Sequence, residues 1–158
     1  MRLDIISELV LLLVIANGAP LLAGMLFGRW LNTPLDGNRR LGDGHPVLGP
    51  AKTVRGLVAS VLACTLAAPV FGLAPGQGAL FGMLAMSGDL LSSFSKRRLG
   101  ITTSHSAPLL DQLPEALLPL LVMQSQFGAG FFETSMAILV FTIIDLLYSR
   151  LRDANGEE

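Results

Sequence analysis

The residue types best suited to chemistry gather between Ser87 and Arg98, where S-G-D-L-L-S-S-F-S-K-R-R ends an apolar stretch in a cationic cluster. If that stretch is helical, 3.6 residues per turn set Asp89, Ser93 and Lys96 along one face, with Arg97 beside them and Arg98 nearly opposite. An acid at the edge of a lipid span is costly and needs a partner, which makes Asp89 a functional candidate. Asp111 and Glu115 stand four residues apart and would share a helix face, with Pro114 between them. Carboxylates beside a cluster of Lys and Arg suit magnesium and a nucleotide. Carboxylate and phosphate oxygens share the hard cation while the basic side chains hold the polyphosphate. Two blander readings compete: a stop-transfer cluster that only sets topology, and ion pairs that only lock helices together. The shared phase of Asp89, Ser93 and Lys96, and the shared depth of the acids, favour a site.

The elements that must position these groups are membrane spans. In a chain of 158 residues, 51% are hydrophobic and 15% charged, which describes an all-α integral membrane protein rather than a soluble domain. Apolar runs predict five transmembrane helices at about 9–28, 57–74, 79–94, 107–125 and 131–149, each near the length needed to cross ~30 Å of hydrocarbon. They form one domain. Asn17-Gly18-Ala19-Pro20 predicts a kink in the first span, and Pro75-Gly76-Gln77-Gly78 a break between the second and third. A cleaved signal peptide is disfavoured, because Asp4 and Glu8 spoil a basic leader and the apolar run continues past Pro20. Residues 29–55 form a polar loop longer than connection requires.

Five spans place that loop, the 95–106 loop and the C-terminus on one side, with ten of the eleven Lys and Arg residues; Arg2 alone is opposite. The positive-inside rule then makes that side cytoplasmic, with the N-terminus out, the C-terminus in and an active site facing the cytoplasm from the inner membrane. Cys64, the single cysteine, excludes an internal disulfide.

Two motifs fail on inspection. Gly44 to Thr53 has glycines before Lys-Thr, but Ala51 stands where a phosphate-binding P-loop needs glycine, and no strand signal precedes it. His45 and His105 are not at metal-ligand spacing.

K-T-x-R-G at Lys52 to Gly56 followed by G-D-L-x-x-S-x-x-K-R at Gly88 to Arg97 resembles the cytidylyltransferases that make CDP-activated lipids, and within them the CDP-archaeol synthase family. A-N-G-A-P in the first span, R-R-L-G-D-G at Arg39 to Gly44 and L-L-D-Q-L at Leu109 to Leu113 extend the resemblance over most of the chain. It implies that CTP and a membrane lipid phosphate give a CDP-lipid and pyrophosphate with Mg²⁺. Asp89, Lys96, Arg97 and Asp111 are then implied as catalytic, and Lys52, Thr53, Arg55 and Ser93 as substrate-binding. Asp89 and Asp111 are implied as metal carboxylates. The chain departs from the family pattern in having His45 to Ala51 as extra residues and Pro114 where an acid is expected; Glu115 is the nearest replacement as a metal ligand. The resemblance also implies a homodimer in the bilayer, and no nucleic-acid partner is expected.

The reaction needs no Ser-His or Cys-His pair, because the lipid phosphate is itself the nucleophile. A CDP-alcohol phosphatidyltransferase, suggested by Asp36-Gly37-x-x-Arg40, would need a longer run of aspartates on neighbouring helices. A small transporter or a scaffold without catalysis is the other alternative, its broken helices serving an ion path. Neither ether-linked isoprenoid nor ester-linked acyl tails leave a short sequence code.

Overall fold

A computed structural model describes residues 2–101 and 108–154, with the backbone alone at 108–112 and 152–154. Among these residues five α-helices follow one another: α1 (Leu3–Phe27), α2 (Val54–Ala67), α3 (Pro75–Arg98), α4 (Pro108–Met123) and α5 (Phe131–Ala154). Short 3-10 turns continue α2 through Ala68–Phe71 and α4 through Gln124–Phe127. Three helical stretches, Leu3–Phe27, Val54–Phe71 and Phe131–Leu151, are long and apolar enough to cross a membrane. The described α4 is shorter, at 16 residues, and α3 carries serines, glycines and a charged end.

α1 begins at Leu3, earlier than the apolar run suggests, because Ile5, Ile6, Leu9, Leu12, Leu13 and Ala16 form one buried stripe at helical spacing. Asp4 lies on the exposed side of that stripe. The helix continues through Asn17 to Pro20, where the Asn17 side-chain amide donates to the Leu13 carbonyl at 3.0 Å. The outward face of α2 is apolar at every fourth position, with Val54, Val58, Leu62, Leu66 and Val70 all exposed. Such a surface is matched to lipid rather than water.

Pro75 to Gly78 is not the break between spans. Gly72, at φ 70°, turns the chain, and Pro75 opens α3, where its missing N–H is no loss and its fixed φ suits the first turn. The glycines of this region serve packing. A Cβ on Gly78 would lie 2.3 Å from the Cys64 carbonyl oxygen, and one on Gly82 would lie 2.9 Å from the Val61 Cα. This small-residue face lets α3 press its backbone against α2. Gly88 does the same toward α4, where a Cβ would sit 2.1 Å from the Pro114 carbonyl oxygen and 2.5 Å from the Glu115 Cα. α3 thus packs on α2 and α4, while α1 packs on α2 and α5. Phe81 meets Phe127 edge-on at 6.2 Å within the core.

The polar loop is ordered as two nested antiparallel bridges, Pro34 with Thr53 and Arg40 with Pro46. Backbone bonds from Leu35 N–H to the Lys52 carbonyl (2.8 Å) and from Val54 N–H to the Thr33 carbonyl (3.0 Å) close the outer one. The inner hairpin is closed by Leu41 to His45 and Val47 to Arg39, both at 3.0 Å. Alternation is too short here to give a strand pattern in the sequence.

Candidate active site

Lys52 is the residue around which the site is built. Its neighbour Thr53 caps α2, its hydroxyl accepting the Gly56 N–H at 3.2 Å. The outer bridge holds the Lys52 backbone, so the side chain leaves a fixed point at the end of the loop and reaches α3. There the Lys52 ammonium donates to both carboxylate oxygens of Asp89, at 2.6 and 2.7 Å. Neither side chain is sealed from solvent, at 25% and 21% exposure, so the pair can exchange partners.

The pair borders a cleft of about 590 Å³ among α1, α3, α4, α5 and the loop. Asn17, Glu115, Asp145 and Tyr148 also face it, as do the apolar Leu21 and Met25 of α1. Gly88 explains how Glu115 arrives beside Asp89: the near-contact of the α3 and α4 backbones at that glycine leaves no room for anything larger. Glu115 is itself buried, at 7% exposure. One lysine and three carboxylates therefore border the cleft. Among the described residues no three acidic, His or Cys side chains converge closely enough to hold a metal unaided. The donor chemistry still fits Mg²⁺, which is usually held by one or two carboxylates together with substrate phosphates.

The other sequence-predicted residues are more dispersed. Ser93 is buried, and Thr53 lines a small pocket beside the pair, of about 80 Å³. Arg55 closes the end of α1, donating to the carbonyls of Gly28 (2.6 Å) and Trp30 (3.0 Å). Lys96 and Arg97 occupy the last turn of α3, where cations complement the negative helix end, and neither borders the cleft. Arg97 is buried and donates to the Ile101 carbonyl. The Asp111 side chain and all of His105 lie outside the described residues.

In the sequence Asn17 marks only a bend in α1, Asp145 is one of four acids with Asp89, Asp111 and Glu115 toward the same surface, and Tyr148 carries no signal. The signal for Asp145 was its depth, shared with Asp89. Asp36 was also underread. Its carboxylate accepts the N–H groups of Leu48 (2.9 Å), Gly49 (3.0 Å) and Asn38 (2.9 Å), stapling the returning arm of the loop. Burial raises its pKa, but the Gly49, Leu48 and Asn38 donors outweigh that and hold the carboxyl below the ordinary range. The Asp43 carboxyl is likewise lowered, by the His45 N–H first and by Arg98.

The chain is similar to known proteins over most of its length. A family model described as CarS-like, CDP-archaeol synthase, matches residues 76–151. A CDP-archaeol synthase of Hyperthermus butylicus is 38% identical over 142 residues, covering 86% of this chain and 80% of the relative. One of Aeropyrum pernix is 40% identical over 121 residues, covering 71% and 66%. A solved intramembrane enzyme for archaeal membrane lipid biosynthesis superposes with a TM-score of 0.72 at 32% identity, over 89% of this chain and 90% of that one.

Proposed function

We propose that this chain, which belongs to the CDP-archaeol synthase family, binds CTP in the cleft beside Lys52 and Asp89 and transfers its cytidylyl group to a membrane lipid phosphate. An oxygen of the lipid phosphate attacks the α-phosphorus of CTP. The bond to the pyrophosphate breaks, and CDP-lipid and pyrophosphate leave. The observation that carries this reading is the Lys52–Asp89 pair inside a cleft with an apolar wall at Leu21 and Met25.

A polyphosphate entering that cleft meets one lysine against three carboxylates, so it must arrive with cations of its own. Asp89 and Glu115, with Asp111 at the start of α4, would hold Mg²⁺, which supplies charge neutralisation on the phosphates when bound. Lys52 exchanges its carboxylate partner for phosphate oxygens and favours departure of the pyrophosphate. Thr53 keeps Lys52 in register from the helix cap, and Arg55 fixes the adjoining end of α1. Ser93, Lys96 and Arg97 lie toward the C-terminal end of α3, where Arg97 donates to the Ile101 carbonyl. Leu21 and Met25 give the lipid an apolar flank.

The charge asymmetry supports five spans with the N-terminus outside and this cleft facing the cytoplasm from the inner membrane. The homodimer rests on the superfamily resemblance. Family membership favours an ether-linked isoprenoid substrate. Purified protein should release pyrophosphate from CTP when given an ether-linked isoprenoid lipid phosphate and should do so more slowly with an ester-linked acyl one. No release with either lipid phosphate would overturn the reading.

A further inference from the structure

Arg98 follows Asp89 by nine residues, which at 100° per residue places it half a turn round α3, away from the cleft. Its guanidinium is nonetheless committed. It pairs with the Asp43 carboxylate, donates to the Pro46 carbonyl at 2.6 Å and more weakly to the His45 carbonyl at 3.4 Å, and lies 5.3 Å from the centre of the Phe94 ring. All three acceptors belong to the inner hairpin of the loop. From Pro46 the chain passes through Leu48 and Gly49, which Asp36 holds, and reaches Lys52 six residues later. The loop's own staple fixes its shape, but Arg98 fixes that shape to the helix bearing Asp89. An arginine suits this task because its planar fork can serve a carboxylate and carbonyls together.

We propose that Arg98 is a positioning residue for nucleotide binding: by clamping the Arg39–Val47 hairpin to α3 it holds the Lys52 ammonium at Asp89, without touching the nucleotide itself. This rests on the reading of Lys52 as a polyphosphate contact. Arg98 would otherwise pass as a topogenic charge beside Lys96 and Arg97. A topogenic charge needs no particular partner, whereas here the guanidinium joins two segments more than fifty residues apart.

The test uses the full-length purified protein with CTP and lipid phosphate. Arg98→Ala should raise the KM for CTP roughly tenfold, the scale of a lost charge-assisted hydrogen bond, and leave the KM for the lipid phosphate near the parent's. Asp43→Ala, at an exposed position, should move the same constant in the same direction. Arg98→Lys should fall between, retaining the charge but not the fork. If Arg98 acts only through Lys52, the double variant Lys52→Met with Arg98→Ala should be no worse than Lys52→Met alone. Spin labels at Gly42→Cys and Leu91→Cys, both exposed, in a Cys64→Ala background supply a readout independent of turnover. The distance distribution between them should be narrow in the parent and broad with Arg98→Ala or Asp43→Ala. A double variant clearly worse than Lys52→Met would overturn the proposal, as would an unchanged distance distribution or an unchanged KM for CTP. In all of these cases Lys52 keeps its role. Lys52→Met with the parental KM for CTP would instead overturn the site reading and this proposal together.

Discussion

Asp89 gains its meaning from its partner. A carboxylate at the lipid edge of a helix is costly unless something neutralises it, and that argument selected Asp89 from the sequence alone. Its partner could not be selected that way, because Lys52 lies 37 residues earlier in a loop with no period, and only the family resemblance pointed to it. Asp36 and Asp43 were harder still, since backbone N–H donors leave no mark in a sequence. Their lowered pKa values have a direct consequence. A carboxyl whose folded pKa is depressed contributes stability above its unfolded value, near ~4, and that contribution is lost as pH falls through the folded value. The loop should therefore loosen at acid pH before the helices do. Hydrogen exchange should show the Leu48 and Gly49 amides losing protection, after correction for intrinsic rates, as pH is taken below ~4. Asp36→Asn should show the same loss at neutral pH. Full protection of both amides in that variant would contradict the assignment.

At the scale of elements, α3 organises the molecule by having small residues on two faces. Gly78 and Gly82 admit α2, and Gly88 admits α4, so that Asp89 and Glu115 border one cleft. The sequence showed the glycines but not their use, because glycine marks turns and close helix contacts with the same letter. Pro75-Gly-Gln-Gly reads as a break for that reason, whereas the chain turns at Gly72, whose N–H donates to the Pro69 carbonyl. The helices themselves were legible, their apolar runs being longer than any loop would carry. Gly88→Ala should push α4 outward and destabilise the protein by about 1–3 kcal/mol, as overpacking does, with turnover falling further than stability explains. Gly76→Ala, whose Cβ meets nothing within 4 Å, is the matched control and should leave both unchanged. Thermal unfolding in detergent and pyrophosphate release measure the two effects.

At the scale of the whole molecule, the cleft and the loop that borders it meet at one end of the helices. The loop joins the C-terminal end of α3 through Arg98 and Asp43, and the Asp145 and Tyr148 region of α5 faces the same cleft. This is the end where ten of the eleven basic residues were expected to gather, and the structure brings its loop, helix end and carboxylates together there. Reporters fused at the C-terminus should be active only on the cytoplasmic side, and at the N-terminus only outside; the opposite pattern would refute the orientation. What the sequence could not convey was which of these basic residues border the cleft. Distance along the chain says nothing about whether a cation caps a helix, closes a loop or enters a cleft, and Arg55, Arg98 and Lys52 divide those tasks.

The Lys52–Asp89 pair is proposed as the nucleotide-binding centre of a lipid cytidylyltransferase. It is tested most directly by pyrophosphate release from CTP with an ether-linked lipid phosphate, across a Mg²⁺ titration, in the parent, Lys52→Met and Asp89→Asn. The parent should depend on both Mg²⁺ and lipid. Each variant should lose turnover by about a hundredfold or more while remaining folded in the membrane, the scale of a lost electrostatic contact to a transferring phosphoryl group. Parental rates with a parental Mg²⁺ dependence in either variant would contradict the account.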